Sequence, residues 1–219
     1  MMKRFAAVLL CLAVLCLGAA SAETKVGSVV SFGRYEQDND TKNGPEEILW
    51  WVIDTQGDSA LLLIGYGLDL RPFDGKTWDR CGLRTWLNGT FYNTAFSDEE
   101  KERIYQTMVR TPGNSAYDKP AAADTTDRVF VLSMEEFDHL LTNWGRSKMA
   151  RTQATPYAQS KTKEKYLTSW WLRTPGSHRG NTFMTCSFEN RNKLGNFDDD
   201  KNTMVRPSIW VNMKTEAAD

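Results

Sequence analysis

Two strand-like stretches, residues 29–64 and 169–211, bracket a middle third whose apolar residues recur at helical spacing, and this order constrains the fold more than any other feature. On the N-terminal side, Val29 to Tyr35, Ile48 to Thr55 and Ala60 to Ile64 are apolar, strand-like runs. The polar segments Gln37 to Pro45 and Gln56 to Asp58 separate them, so the pattern predicts a three-stranded antiparallel meander.

From Leu83 the period changes. Leu83, Trp86, Leu87 and Phe91 predict a helix over 83–93, which the Asn88-Gly89 step weakens without ending. Ser97 and Glu100 form a capping box for a second helix reaching about Tyr105, with Asp98, Glu99 and Glu100 at its positive end. Beyond a strand over 107–111, Arg128 to Leu132 is a β-rich run, and Ser133 with Glu136 caps a further helix to about Leu141. Ser169 to Arg173, Thr182 to Phe188 and Met204 to Val211 return to strand. The expected class is α+β, with antiparallel sheets and two to four short helices, and not a doubly wound parallel sheet.

Residues 1–22 read as a signal peptide: Lys3 and Arg4 precede the apolar run Phe5 to Leu17, and Ala20-Ser21-Ala22 supplies the cleavage site. The expectation is a single domain over 23–219, secreted or attached to the cell surface, with no membrane span after cleavage and a monomeric state. The chain carries 27 basic and 28 acidic residues, and loss of Lys3 and Arg4 leaves no basic excess for a phosphate backbone. Nucleic acid is not an expected partner. Cys81 and Cys186 remain after cleavage; they form either one disulfide, worth about 4 kcal/mol at such a separation, or two buried thiols.

The residues favour no catalytic assignment. His139 falls in an apolar-rich helix, and His178 adjoins Ser177, so these two cannot face each other as a triad requires. Zinc needs a spaced Cys/His cluster that two isolated members of each type do not supply. No cofactor is expected. Calcium is the one ion left open, at the oxygen-rich Asn196, Asp198, Asp199, Asp200 and Asn202, and less so at Asp38, Asp40 and Asn43, where Lys42 intrudes.

The eight tryptophans say more, because Trp50-Trp51 and Trp170-Trp171 are adjacent pairs on expected strands. Strand neighbours point to opposite faces, so one of each pair enters the core. The other is covered by a second layer, the favoured outcome, or left to stack on a sugar or apolar ligand.

Trp170-Trp171-Leu172-Arg173-Thr174-Pro175-Gly176 and Val205-Arg206-Pro207-Ser208-Ile209-Trp210 resemble the paired motifs of a bacterial family of secreted domains of unknown function. Trp50 to Leu63, Thr77 to Phe96 and Asp124 to Ser133 extend the resemblance over nearly the whole mature chain. The closing region is more distantly similar to the C-type-lectin-like fold of sulfatase-modifying factors and of variable retroelement ligand-binding proteins. That likeness implies a rigid frame (Trp170, Trp171, Arg173, Arg206 and Trp210) around a polar recognition segment. Its contact residues would be Ser177, His178, Arg179, Asn181, Asn190, Arg191, Asn192, Asn196, Asp198, Asp200 and Asn202. A buried Arg173 or Arg206 would need a carboxylate or several carbonyls as partners. The sulfatase-modifying chemistry needs paired reactive cysteines, and the calcium-lectin motifs Glu-Pro-Asn and Gln-Pro-Asp are absent from the sequence. The expectation is a non-catalytic domain recognising an extracellular glycan or protein. Its rivals are an extracellular hydrolase or oxidoreductase of sulfatase-modifying-factor-like fold, and a purely structural cell-surface module.

Overall fold

The computed structural model describes residues 24–141, 147–165, 167, 169–176, 182–186, 195–197 and 203–214, with the main chain alone for 147, 182–186 and 195–197. In chain order the first elements are β1 (Val29–Tyr35), β2 (Glu46–Gln56), β3 (Ser59–Ile64) and β4 (Asp69–Leu70). Helix α1 (Gly82–Trp86) runs through a π-helical turn, Leu87–Phe91, into α2 (Tyr92–Ala95), and α3 (Asp98–Arg103) follows. Next are β5 (Thr107–Val109), β6 (Thr125–Asp127), α4 (Met134–Leu141), α5 (Ser147–Ala150) and α6 (Pro156–Ser160). The last are β7 (Ser169–Pro175), β8 (Thr182–Cys186), β9 (Gly195–Phe197), β10 (Met204–Val205) and β11 (Ser208–Asn212).

The meander forms as the strand-like runs and the polar turns between them predict, and β11 adds to it in a four-stranded sheet of order β1-β2-β3-β11. A second sheet has the order β4-β10-β7-β8-β9, and β5 pairs with β6 alone. The fold is α+β and the pairing of the named strands antiparallel, except that β10 runs parallel to β7, with Met204 opposite Trp170.

The expected strand from Met204 to Val211 is split. Pro207 has no N–H to donate to a ladder, and Arg206 turns its side chain into the interior, where it is fully buried. The chain therefore leaves the second sheet after Val205 and enters the first at Ser208, so that this short corner ties the two sheets together.

The run Arg128 to Leu132 also departs from expectation, since the strand lies earlier, at Thr125–Asp127. Val129, Phe130, Val131 and Leu132 are all buried, which leaves no alternation of faces. Side chains take the place of much of a ladder. The Asn88 amide oxygen accepts from the N–H groups of Arg128 and Val129 at 2.8 and 3.1 Å, and its Nδ2 donates to the Val129 carbonyl at 2.8 Å. Asn88 sits in the π turn, so the step that weakened the helical pattern places an amide where the facing loop needs one.

Both capping boxes form: Ser97 with Glu100, and Ser133 with Glu136. The one-turn helices α5 and α6 exceed the expected set, although Thr155-Pro156 is a legible start signal, with the Thr155 hydroxyl accepting from the Ala158 N–H at 3.1 Å.

Candidate functional site

On one face of the first sheet, Val29, Trp51, Leu63 and Ser208 lie directly opposite one another across four strands. Leu63 and Ser208 are buried, but at the β1 end this face opens: Val29 is 49% exposed and Leu49 43%. Trp50 turns into the core, where its indole N–H donates to the Phe32 carbonyl at 2.7 Å. Trp51, half-buried, turns outward. Here the adjacent pair divides as strand geometry requires, one ring in the core and one facing the surface. Trp170 and Trp171 do not divide this way, because β7 is covered on both faces and both rings are buried.

The far wall of the opening is the chain from α5 to Ala154. It is held to the strand end by the Gly67 N–H donating to the Gln153 carbonyl at 2.8 Å, the Thr155 N–H to the Gly67 carbonyl at 3.0 Å, and the Thr152 hydroxyl to the Gly65 carbonyl at 3.1 Å. Between wall and sheet lies a cleft of about 600 Å³, within the range of small-molecule sites. Trp51, Tyr66, Leu49, Val29, Lys148, Arg151 and Gln153 contribute its exposed lining. The Lys148 ammonium lies 5.1 Å from the centroid of the Trp51 ring.

Arg206 supports this cleft from beneath. Its guanidinium donates to the Ile64 carbonyl at 2.9 and 3.2 Å and to the Met149 carbonyl at 2.9 Å, and it lies 4.6 Å from the Trp170 ring centroid. Ile64 precedes Gly65 and Met149 follows Lys148, so one buried side chain fixes both walls. Burial pushes its pKa down to about 9. Arg173 is held differently, by both carboxylate oxygens of Glu136 at 2.5 and 2.6 Å and by the carbonyls of Arg110 and Val131. Both arginines thus have the partners that burial demands.

Two buried carboxylates organise polar clusters elsewhere. Asp127 accepts from Trp78 Nε1 at 2.9 Å, Thr125 Oγ1 at 2.6 Å and Arg84 Nε at 2.7 Å. Asp69 accepts from the Tyr35 hydroxyl at 3.0 Å, Arg71 Nε at 3.2 Å, the Leu70 N–H at 2.7 Å and the Lys161 ammonium. Burial first, and then Asp69, raise the Tyr35 phenol well above its ordinary pKa. Each carboxylate is occupied by structural donors, which is a poor arrangement for a general base.

Cys81 is a free, buried thiol; the side chain of Cys186, its expected partner in one of the two readings, lies outside the described residues. The Cys81 sulfur caps α1, accepting from the Arg84 N–H at 3.4 Å, and donates to the Trp78 carbonyl at 3.4 Å. Burial pushes the thiol from 9.0 up to about 12. An unfolded chain ionises this thiol above pH 9 while the folded chain keeps it protonated, so stability falls as pH rises through that window. Between pH 8 and 10.5 the loss attributable to this group is about 1–2 kcal/mol. Urea midpoints at the two pH values should fall less in Cys81→Ser, whose hydroxyl can still cap Arg84 and does not titrate. An equal fall in both proteins would contradict this assignment.

The expected polar contacts Ser177, His178, Arg179, Asn181, Asn190, Arg191, Asn192, Asp198, Asp200 and Asn202 lie outside the described residues, as does Asp199 of the expected calcium loop. Of Asn196 only the main chain is described, in β9 opposite Phe183. At the other calcium candidate, carboxylate oxygens of Glu36, Asp38 and Glu46 lie within 4.8 Å of one another. There Asn43 Nδ2 donates to Asp38 at 2.8 Å, and Glu46 accepts from the Gln37 and Asp38 N–H groups, so turn hydrogen bonds already engage Asp38 and Glu46. His139 lies on the exposed face of α4. Strand alternation implies that one ring of the Trp50-Trp51 pair turns away from the core without telling which, and the sequence favours its being covered; Lys148 and Arg151 are missed, because they sit in a segment with no period or motif to mark them.

Among the described residues, no helix is long and apolar enough to cross a membrane. A family profile described as "Domain of unknown function (DUF6273)" matches residues 57–213. Neither a curated protein nor a solved structure gives a significant match.

Proposed function

This chain belongs to the DUF6273 family, and from that premise we propose that it is a secreted, non-catalytic ligand-recognition domain whose binding site is the cleft at Trp51. One observation carries the reading: a pre-formed opening where an outward Trp and the exposed Tyr66, Leu49 and Val29 meet two cationic side chains. An apolar, aromatic floor with a few polar groups at its rim is the usual composition of a ligand site. Strand, corner and wall hold it from several directions, which limits the ordering that binding would require. The C-type-lectin-like fold suggested by the closing motifs fits a recognition role, and its rigid frame would include Arg206 beneath this cleft.

The test is a binding screen of the purified protein on glycan and peptide arrays, with Trp51→Ala beside it. The expected result is at least one ligand whose binding weakens about tenfold or more in Trp51→Ala, since truncating a buried aromatic anchor commonly costs about 2 kcal/mol or more. Alanine at Asn190, Arg191 and Asn192 tests the polar segment as the alternative location. Loss of binding there, with Trp51→Ala unaffected, would overturn the cleft assignment.

A further inference from the structure

We propose that the cleft takes an acidic saccharide, with a sugar face stacked on Trp51 and a carboxylate held between Lys148 and Arg151. This rests on the recognition reading above and adds the ligand class. The cleft is lined by two cations and no acidic side chain. Among the described residues, neither Lys148 nor Arg151 forms an ion pair, and both are exposed. Elsewhere, Arg71, Arg84, Lys161 and Arg173 are each paired with a buried or partly buried carboxylate. Two cations with no carboxylate partner among the described residues, set over an aromatic floor, form a local positive site in a chain with a slight acidic excess.

The Lys148 ammonium lies over the Trp51 ring face. An exposed cation–π contact is weak, so an arriving carboxylate can draw the ammonium aside and free the ring. The negative ring face then meets the polarised C–H groups of a pyranose. Arg151 offers a planar fork to the carboxylate, and Gln153 adds an amide at the same rim, suited to hydroxyls.

The main rival is an acidic peptide, which would gain most by adding as a strand along the neighbouring edge β1. That edge is obstructed. The Gly33 N–H already donates to Glu100 at 2.7 Å. The Glu100 side chain thus already occupies the edge donor that an added strand would use at this point. A compact ring carrying its own charge fits better than an extended backbone.

The experiment titrates the purified protein with trigalacturonate, its methyl ester and a hexapeptide of alternating Glu and Phe, following the Trp51 indole N–H by NMR. Trigalacturonate is expected to shift that resonance and to bind about tenfold more tightly than the ester, the scale of a charge-assisted contact. In Lys148→Gln/Arg151→Gln the acid-to-ester ratio is expected to fall to about one, and higher salt is expected to lower it in the parent protein. Melting curves confirm that this surface variant is folded. Equal binding of acid and ester, an unchanged ratio in the double variant, or capture of the peptide in place of the saccharide would each overturn the proposal. Equal binding would leave recognition at Trp51 standing, whereas an array screen with no Trp51-dependent ligand would remove that reading separately.

Discussion

Replacing Arg206 with alanine is expected to destabilise the protein by about 3–5 kcal/mol, a large fraction of the 5–15 kcal/mol typical of a folded domain. The substitution leaves the Ile64 and Met149 carbonyls without their guanidinium donor in the buried interior, and empties the space beside the Trp170 ring. Arg206→Lys is expected to recover little, because one ammonium cannot reproduce the planar fork that reaches both carbonyls. The same contacts fix the walls of the cleft, so any Arg206 variant that still folds should also bind ligand more weakly. Urea unfolding followed by Trp fluorescence checks the first effect; a cost below about 1 kcal/mol for Arg206→Ala would show that the corner is held by something else.

Asp127→Ala is expected to cost about 3–4 kcal/mol by a different route. The carboxylate is fully buried, and its loss strands the Trp78 indole N–H, the Thr125 hydroxyl and a largely covered Arg84 side chain at once. A second variant separates charge from hydrogen bonding. Asp127→Asn retains an acceptor but presents an NH2 group toward one set of donors, so it should recover only part of the loss. A double-mutant cycle with Arg84→Met measures the pair directly: a coupling of about 1–3 kcal/mol is expected, and additive losses would contradict a shared cluster.

The strand-like runs Val29 to Tyr35 and Ile48 to Thr55, and the Ser97/Glu100 and Ser133/Glu136 capping boxes, are local signals, and the structure forms these elements, with bulges in β1 and β2 that the runs do not announce. What the sequence did not show depends on contacts between distant residues. Arg128 to Leu132 has the composition of a strand, yet the Asn88 amide and the Arg173 backbone and side chain satisfy much of its main chain. The Arg206-Pro207 corner could be read as an interruption, but not as a change of sheet. At the site, alternation says that one of Trp50 and Trp51 faces away from the core, and only the structure shows that it is Trp51. Nothing local marks Lys148 and Arg151, because their meaning comes only from the wall that Gly65, Gly67 and Arg206 hold against the sheet.

The most direct test of recognition at Trp51 is the indole N–H resonance of that residue during titration with the strongest ligand from the array screen. The account predicts a saturable shift of the Trp51 signal, with the buried Trp50 and Trp170 signals little changed and the affinity lost in Trp51→Ala. Saturable binding that leaves the Trp51 resonance in place, and that Trp51→Ala retains at full strength, would contradict it.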